Sequence, residues 1–162
     1  MRRAPDYTSQ FADIMATYAA PVRRLCGAYA ASRADRDDLF QDIFFAVWRA
    51  LPGFRGDAST RTWLYRIAHN VALTWQTRDH RRQSREAALE ADVGSPGHMS
   101  LRRLAVKQAI AGMTPADRTV TLLWLEGLSA AEIEEVVGVK AATIAVRLSR
   151  IRKQLTPREV VP

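Results

Sequence analysis

Residues 127–155 read GLSAAEIEEVVGVKAATIAVRLSRIRKQL, and this stretch predicts two short helices joined by a tight turn. Ser129 and Glu132 have the spacing of a capping box, which opens the first helix. Gly138 is expected to end that helix, and a second one is expected from about Lys140 to Leu155. Two helices at such a turn are typical of a helix-turn-helix unit, whose second helix can lie in the major groove of DNA.

The second helix of this unit has two chemically different sides. An apolar stripe that can pack on the preceding helices consists of Ile144, Leu148, Ile151 and Leu155. The rest of the helix has no acid between 140 and 153 and carries the basic residues Lys140, Arg147, Arg150, Arg152 and Lys153. We expect this helix to contact DNA, because the three glutamates of the first helix would repel phosphates. A plain helical hairpin with a solvated charged face is the alternative.

Upstream of this unit, Thr114 and Pro115 predict another helix start, as the N-cap and the first helical residue. The helical periodicity fails from about residue 83 to residue 100, where the run Gly94-Ser95-Pro96-Gly97 is typical of a linker. It resumes at Leu101. The chain is therefore expected to divide into two domains.

The first 85 residues predict three helices, because apolar residues recur there at spacings of three and four. The first is expected over residues 9–31 and the second from about 36 to 51. A loop over residues 54–58 leads to a third helix, from residue 59 or 60 to about 80. The expected fold class is all-α, with two small helical domains, residues 1–85 and 101–162, on a flexible linker, residues 86–100.

Composition and charge narrow the classes of partner. The 162 residues carry a formal net charge of +7, and 48% of them are hydrophobic, as in a globular protein. The positive surplus favours a nucleic acid first and an anionic membrane surface second. A basic surface with no partner stays open at this point.

The single cysteine, Cys26, lies in an apolar-periodic stretch and is expected to be a small buried hydrophobe. It cannot form an internal disulfide, which fits a reducing cytoplasm. The N-terminus lacks the apolar run of a signal peptide, and no segment approaches the ~20 apolar residues that span a bilayer. We expect a cytoplasmic protein with no membrane insertion.

Two clusters distinguish the first domain. Four acids near the start of the second helix suit the helix dipole and also suit a positively charged protein partner: Asp35, Asp37, Asp38 and Asp42. The third helix interleaves basic residues with aromatic ones, which suits single-stranded nucleic acid. Trp63 shares a face with Ile67 and Val71 and is expected in the core, whereas the pattern leaves the place of Trp75 open.

The sequence carries no sign of catalysis. His69, His80 and His98 are far apart and lack the spacing of metal ligands. No nucleophile and base are paired, and no glycine-rich loop could cradle a phosphate. We expect no catalytic residue, no metal and no cofactor.

Read in order, these segments resemble the extracytoplasmic-function (ECF) group of bacterial sigma factors. Asp37-Asp38-Leu39-Phe40-Gln41-Asp42-Ile43-Phe44-Phe45-Ala46-Val47-Trp48 is similar to the part of sigma region 2 that docks on the clamp helices of core RNA polymerase. The resemblance implies the polymerase-binding residues Asp37, Asp38, Leu39, Gln41, Asp42, Phe44 and Trp48.

Two further segments resemble the promoter-binding parts of the same group. Residues 54–59 and 61–70 are similar to the loop and helix that capture the melted −10 element, which implies contacts by Phe54, Arg55, Gly56, Asp57, Ser59, Arg61, Arg66, His69, Asn70, Arg78 and Arg81. Residues 127–150 are similar to region 4, which reads the double-stranded −35 element. The implied contacts there are Ser129, Lys140, Ala141, Thr143, Ile144, Arg147, Arg150 and Lys153.

The resemblance implies an alternative sigma factor that binds core polymerase, recognises a promoter and is held by an anti-sigma factor when free. The chain departs from the family where Lys140 replaces a frequent serine cap, so that the cap of the reading helix is expected to be lost. It also departs at Ala145 and Val146, where a lysine and a small polar residue are common, and at Thr74-Trp75-Gln76. The rival function is a helix-turn-helix regulator that acts without polymerase docking.

Overall fold

The computed structural model describes residues 6–30, 32–83, 108–110 and 112–155, and of residues 79–83 it describes only the backbone. The chain forms two compact units that divide between Asp92 and Val93. The regular elements of the described residues are all helical, which confirms the predicted all-α fold class. The predicted linker, residues 86–100, lies outside the described residues.

The described residues of the N-terminal unit form three helices that pack on one another: α1 (Tyr7–Tyr29), α2 (Arg33–Ala50) and α3 (Thr60–Gln83). A short 3-10 turn, Leu51–Gly53, follows α2. The helices begin where side chains accept otherwise unpaired backbone N–H groups. Asp6 caps α1, and the Ser32 hydroxyl accepts the N–H of Asp35 at 3.0 Å, so α2 begins three residues earlier than predicted.

The core of this unit is built from the facing sides of the three helices. Its largest fully buried side chains include Val22, Leu25, Leu39, Ile43, Val47, Leu51, Leu64 and Tyr65. Cys26 is buried as predicted, and burial raises the pKa of its thiol to about 11. A thiol held in this protonated state is a poor nucleophile, so Cys26 acts as a packing residue.

The sequence prediction for α3 chose the wrong face as the core. The buried stripe runs through Leu64, Tyr65, Ala68 and Ala72. Trp63, predicted in the core with Ile67 and Val71, is only half-buried like both of them, and so is Trp75, whose place the sequence left open. The predicted face lies beside the residues of α3 that pack against α1 and α2, so those helices cover it only in part.

The C-terminal unit contains α4 (Pro115–Leu125), α5 (Ala130–Val137) and α6 (Ala141–Leu155). The helix signals predicted at Thr114, Ser129 and Gly138 are confirmed. Thr114 caps α4 with Pro115 at its first position, Ser129 and Glu132 form a reciprocal capping box, and Gly138 ends α5 in the left-handed conformation at φ +73°. Leu123 of α4, Ile133 of α5 and Ile144 of α6 are fully buried and form one core.

None of the described helices combines the length and the apolar character needed to cross a bilayer.

Candidate protein and nucleic-acid interfaces

The acidic cluster of α2 divides into two internally paired acids and two that point outward. Asp35 accepts a hydrogen bond of 2.6 Å from the Ser32 hydroxyl, which places it in the cap of the helix. Asp37 pairs with Arg23 of α1 at 3.0 Å. Asp38 and Asp42 are exposed. Asp35 therefore serves the start of the helix, whereas Asp38 and Asp42 are available at the surface.

One exposed stripe runs along α2, and we call it the α2 outer face. It consists of Asp38, Gln41, Asp42, Phe45 and Trp48. Phe45 is 63% exposed and Trp48 is 42% exposed, which is unusual for side chains of this size. The Trp48 ring meets Phe11 of α1 edge-on, with 5.2 Å between the ring centroids. This contact holds the indole in place while leaving much of it open to a partner.

Two residues that the resemblance assigned to polymerase binding do not belong to this face. Leu39 is fully buried and Phe44 is 5% exposed, so their side chains support α2 from inside and offer no contact surface. Phe45, which the sequence reasoning did not select, takes their place at the surface. The helical spacing from Asp38, Gln41 and Asp42 could have found it, because Phe45 follows them by seven, four and three residues.

The loop before α3 carries the residues assigned to −10 capture. Phe54 is half-buried and stacks on Trp63, with ring centroids 4.5 Å apart. Arg55, Gly56 and Asp57 are exposed, and Gly56 has a φ of +81°, a conformation that favours glycine. This part of the loop therefore extends into solvent from the stacked rings of Phe54 and Trp63.

Ser59, which was assigned to DNA binding, has a local structural role. Its hydroxyl accepts the N–H of Thr62 at 3.1 Å and donates to the Thr62 hydroxyl at 2.9 Å. These bonds cap α3 and so position the loop that precedes it.

The outer side of α3 presents polar residues at spacings of four: Arg66, Asn70, Thr74 and Arg78, all exposed. Arg61 is half-buried at the start of the helix. The side chain of Arg81, another assigned residue, lies outside the described residues. The four exposed side chains form a strip that can follow a nucleic-acid strand, which we call the α3 strip.

His69 lies beside this strip but faces inward. Its Nδ1 atom is 2.6 Å from the Tyr29 hydroxyl of α1, and its ring packs edge-on against the Tyr29 ring. Burial lowers the pKa of His69, which favours a neutral imidazole. His69 is therefore suited to joining α1 to α3 and is poorly suited to carrying a charge toward phosphate.

The basic residues of α6 do not form one face. Arg147 reaches back to α4, where its Nη1 atom lies 3.4 Å from Asp117 Oδ1. The Arg152 guanidinium lies over the Trp124 ring of α4, 4.9 Å from its centroid. Ile144 is fully buried, so its assignment to DNA contact is wrong.

The exposed side of α6 carries a smaller set of residues, which we call the α6 outer face: Ala142, Thr143, Val146, Ser149, Arg150 and Lys153. Val146 lies near its middle and is 53% exposed. Small residues on this face let the helix backbone approach a groove closely, while Arg150 and Lys153 supply positive charge.

The start of α6 corrects one sequence prediction. Lys140 precedes the helix and is exposed, and a lysine ammonium has no acceptor with which to cap it. The cap is nevertheless present, because the N–H of Ala141 donates to Glu134 Oε2 at 2.8 Å. Ser129, another residue assigned to DNA contact, is engaged through its N–H and its hydroxyl in the capping box of α5.

The described part of the chain contains no group of three or more His, Cys, Asp or Glu side chains arranged to hold a metal ion.

Two family models match this chain. Residues 14–85 match sigma-70 region 2, and residues 103–155 match sigma-70 region 4. The first match contains the α2 outer face, the 54–59 loop and the α3 strip, and the second contains the α6 outer face.

Curated relatives match along most of the chain. The ECF RNA polymerase sigma-E factor of Escherichia coli (strain K12) is 31% identical over 159 residues, covering 88% of this chain and 82% of the relative. The factor of the same name from Haemophilus influenzae is 32% identical over 141 residues, covering 76% and 74% of the two chains.

Solved structures share the fold. The sigma factor RpoE from Bartonella quintana, in a co-crystal with the anti-sigma factor NepR, has a TM-score of 0.76 and 20% identity, covering 90% of this chain and 94% of that chain. CnrH, in complex with the cytosolic domain of CnrY, has a TM-score of 0.65 and 24% identity, with 91% and 86% covered.

With both sigma regions present in order, and with relatives above 30% identity over most of their length, the chain belongs to the ECF group of the sigma-70 family. It is an alternative sigma factor that directs transcription initiation. Factors of this class work with RNA polymerase and promoter DNA and regulate transcription without catalysing a reaction of their own. The rival function, a regulator with no polymerase docking, is not favoured, because it leaves region 2 without a role.

Proposed function

We propose that three surfaces of this sigma factor divide promoter recognition among them. The α2 outer face docks on core RNA polymerase, the 54–59 loop with the α3 strip binds the melted −10 element, and the α6 outer face reads the duplex −35 element. The observation that carries the proposal is the α2 outer face, where two large aromatic side chains stand exposed beside two outward-pointing acids.

The chemistry of the α2 outer face fits a protein partner better than a nucleic acid. Phe45 and Trp48 are the kind of side chains that anchor interfaces when a partner removes them from water. Asp38 and Asp42 would repel phosphates and complement a positively charged surface. The face therefore suits a basic, partly apolar helix surface of the polymerase.

Docking is also required by the energy of promoter melting. Opening five base-pair steps costs roughly 7 kcal/mol at ~1.4 kcal/mol per step. One or two bases captured by the 54–59 loop return only ~1–3 kcal/mol each. We therefore expect the free chain to leave duplex DNA closed and the holoenzyme to open it.

We further propose that the free factor resides in the cytoplasm and is held by an anti-sigma factor. Support for the second part comes from the Bartonella quintana sigma factor, which shares this fold and was crystallised with the anti-sigma factor NepR. An exposed pair like Phe45 and Trp48 would also gain from being covered while no polymerase is bound.

The test is capture of the purified chain on immobilised core polymerase. We expect Asp38→Ala combined with Asp42→Ala, and separately Phe45→Ala combined with Trp48→Ala, to lose most of the binding. Asp13→Ala, which removes an exposed acid from α1, is the matched control and should bind like the wild type. If both double variants are captured as well as the wild type, the α2 outer face is not the docking surface.

A further inference from the structure

The turn between α5 and α6 is closed at both ends by one residue, Glu134. Its backbone carbonyl accepts the N–H of Gly138 at 2.8 Å, which ends α5. Its carboxylate accepts the N–H of Ala141, also at 2.8 Å, which begins α6. The orientation of the second helix relative to the first is thus tied to a single side chain in the first.

This arrangement matters because the residue in the usual capping position cannot do the same work. The first N–H groups of a helix have no partner within the helix, and an N-cap side chain normally accepts one of them. Lys140 occupies that position, and its ammonium group can only donate. An acceptor has to come from elsewhere in the fold, and Glu134 provides it from the preceding helix.

We propose that Glu134 is a positioning residue for the reading helix, replacing the cap that position 140 does not supply. The inference rests on the proposed reading of the −35 element by the α6 outer face. Ala142, Thr143 and Val146 lie in the first two turns of α6, and the ends of helices fray most readily. The hydrogen bond from Ala141 to Glu134 holds those turns in the conformation that enters the groove.

The Glu134 carboxylate also has an effect that opposes DNA binding. Its negative charge lies at the helix end that approaches the DNA, so it weakens attraction to phosphate even as its oxygen holds the helix. A substitution by alanine changes both effects together, whereas glutamine removes the charge and keeps an oxygen that can accept the Ala141 N–H. The comparison of the two variants isolates the hydrogen bond.

The experiment measures binding of the full-length chain to a labelled duplex that the wild type has selected from a randomised DNA pool. We expect Glu134→Gln to bind at least as tightly as the wild type and Glu134→Ala to bind about fivefold more weakly than Glu134→Gln, the size expected for one lost cap. Glu135→Ala and Glu135→Gln, at the neighbouring exposed position of α5, form the control pair and should leave hydrogen exchange at the Ala141 amide unchanged, because that N–H donates to Glu134.

A second substitution tests the cap by restoring it in a different place. Adding Lys140→Ser to Glu134→Ala gives α6 an ordinary serine cap, and we expect it to bring back most of the lost affinity. We also expect hydrogen exchange at the Ala141 amide to be faster in Glu134→Ala than in Glu134→Gln.

Equal affinity and equal exchange in the alanine and glutamine variants would overturn the inference, as would failure of Lys140→Ser to rescue. If instead the wild type selects no duplex at all, the proposed reading of the −35 element fails, and the inference falls with it.

Discussion

The helices α2 and α6 each have one buried side and one exposed outer face, but the two outer faces carry residues of opposite chemical character. Each helix buries one side in its own unit, through Leu39 and Ile43 in α2 and through Ile144 and Leu148 in α6. On the exposed side, α2 carries acids and large aromatics, whereas α6 carries small residues and two cations. Large exposed aromatics indicate a surface that a protein partner buries on binding. Small residues flanked by positive charge instead indicate close approach to a polyanion.

The largest expected effect separates the inner side of α2 from its outer side. Leu39→Ala removes a fully buried side chain and should lower the free energy of unfolding of the N-terminal unit by ~2–5 kcal/mol. Phe45→Ala should change stability far less and should instead weaken polymerase binding by ~2 kcal/mol or more, as an anchor residue does. Urea unfolding and a polymerase-binding titration measure the two quantities. If Phe45→Ala destabilised the fold as much as Leu39→Ala, the inner and outer sides of α2 would not be distinct.

The next effect sharpens the division within α6. Arg150 is on the outer face, whereas Arg152 lies over Trp124. We expect Arg150→Ala to cost ~1–3 kcal/mol of −35 binding if it reads a base, or to lower the salt slope of binding by about 1 if it contacts a phosphate. Arg152→Ala should do neither. Affinity of the wild type measured against salt concentration should fall steeply, and a flat curve would contradict contact with phosphates by this face.

A smaller effect concerns Arg147, which the sequence suggested as a DNA contact and the structure pairs with Asp117. Arg147→Ala should weaken binding at the −35 element and leave polymerase binding intact. Its partly exposed ion pair should contribute less than ~1 kcal/mol to stability. Asp117→Asn separates the two roles: it should match Arg147→Ala if the pair only orients α6, and should leave −35 affinity unchanged if Arg147 itself contacts DNA.

The smallest effect is a pH dependence confined to the N-terminal unit. Because burial lowers the pKa of His69 in the folded state, the unfolded chain binds its proton more readily. The stability contributed by neutral His69 is therefore fully present above the unfolded pKa of about 6.5 and is lost as the pH falls through the lower folded-state pKa. Melting temperatures of wild type and His69→Gln across this range should diverge, with a shallower dependence in the variant. Parallel curves would exclude His69 as the source.

The local signals in the sequence were reliable where a structure is decided within a few residues. Thr114 with Pro115, Ser129 with Glu132, and Gly138 all mark helix ends as predicted, because a cap depends on partners only two to four positions away. Each sigma region was likewise recognised from its own stretch of sequence, and the order of the stretches along the chain supported both. The division of each helix into a buried and an exposed side was predicted less well, as Trp63 and Phe44 show.

By itself, the sequence determined the all-α class, the ends of the helices and the sigma-factor family. The tertiary structure decided which side chains remain available at the surface. Phe45 is exposed and Phe44 buried because α1 and α3 cover one side of α2, and Arg147 pairs with Asp117 because α4 places that acid beside it. The reading helix, the first stretch to suggest DNA binding, receives its cap from Glu134, seven residues before Ala141 and in another helix. Such contacts depend on how helices meet, which no short window of sequence contains.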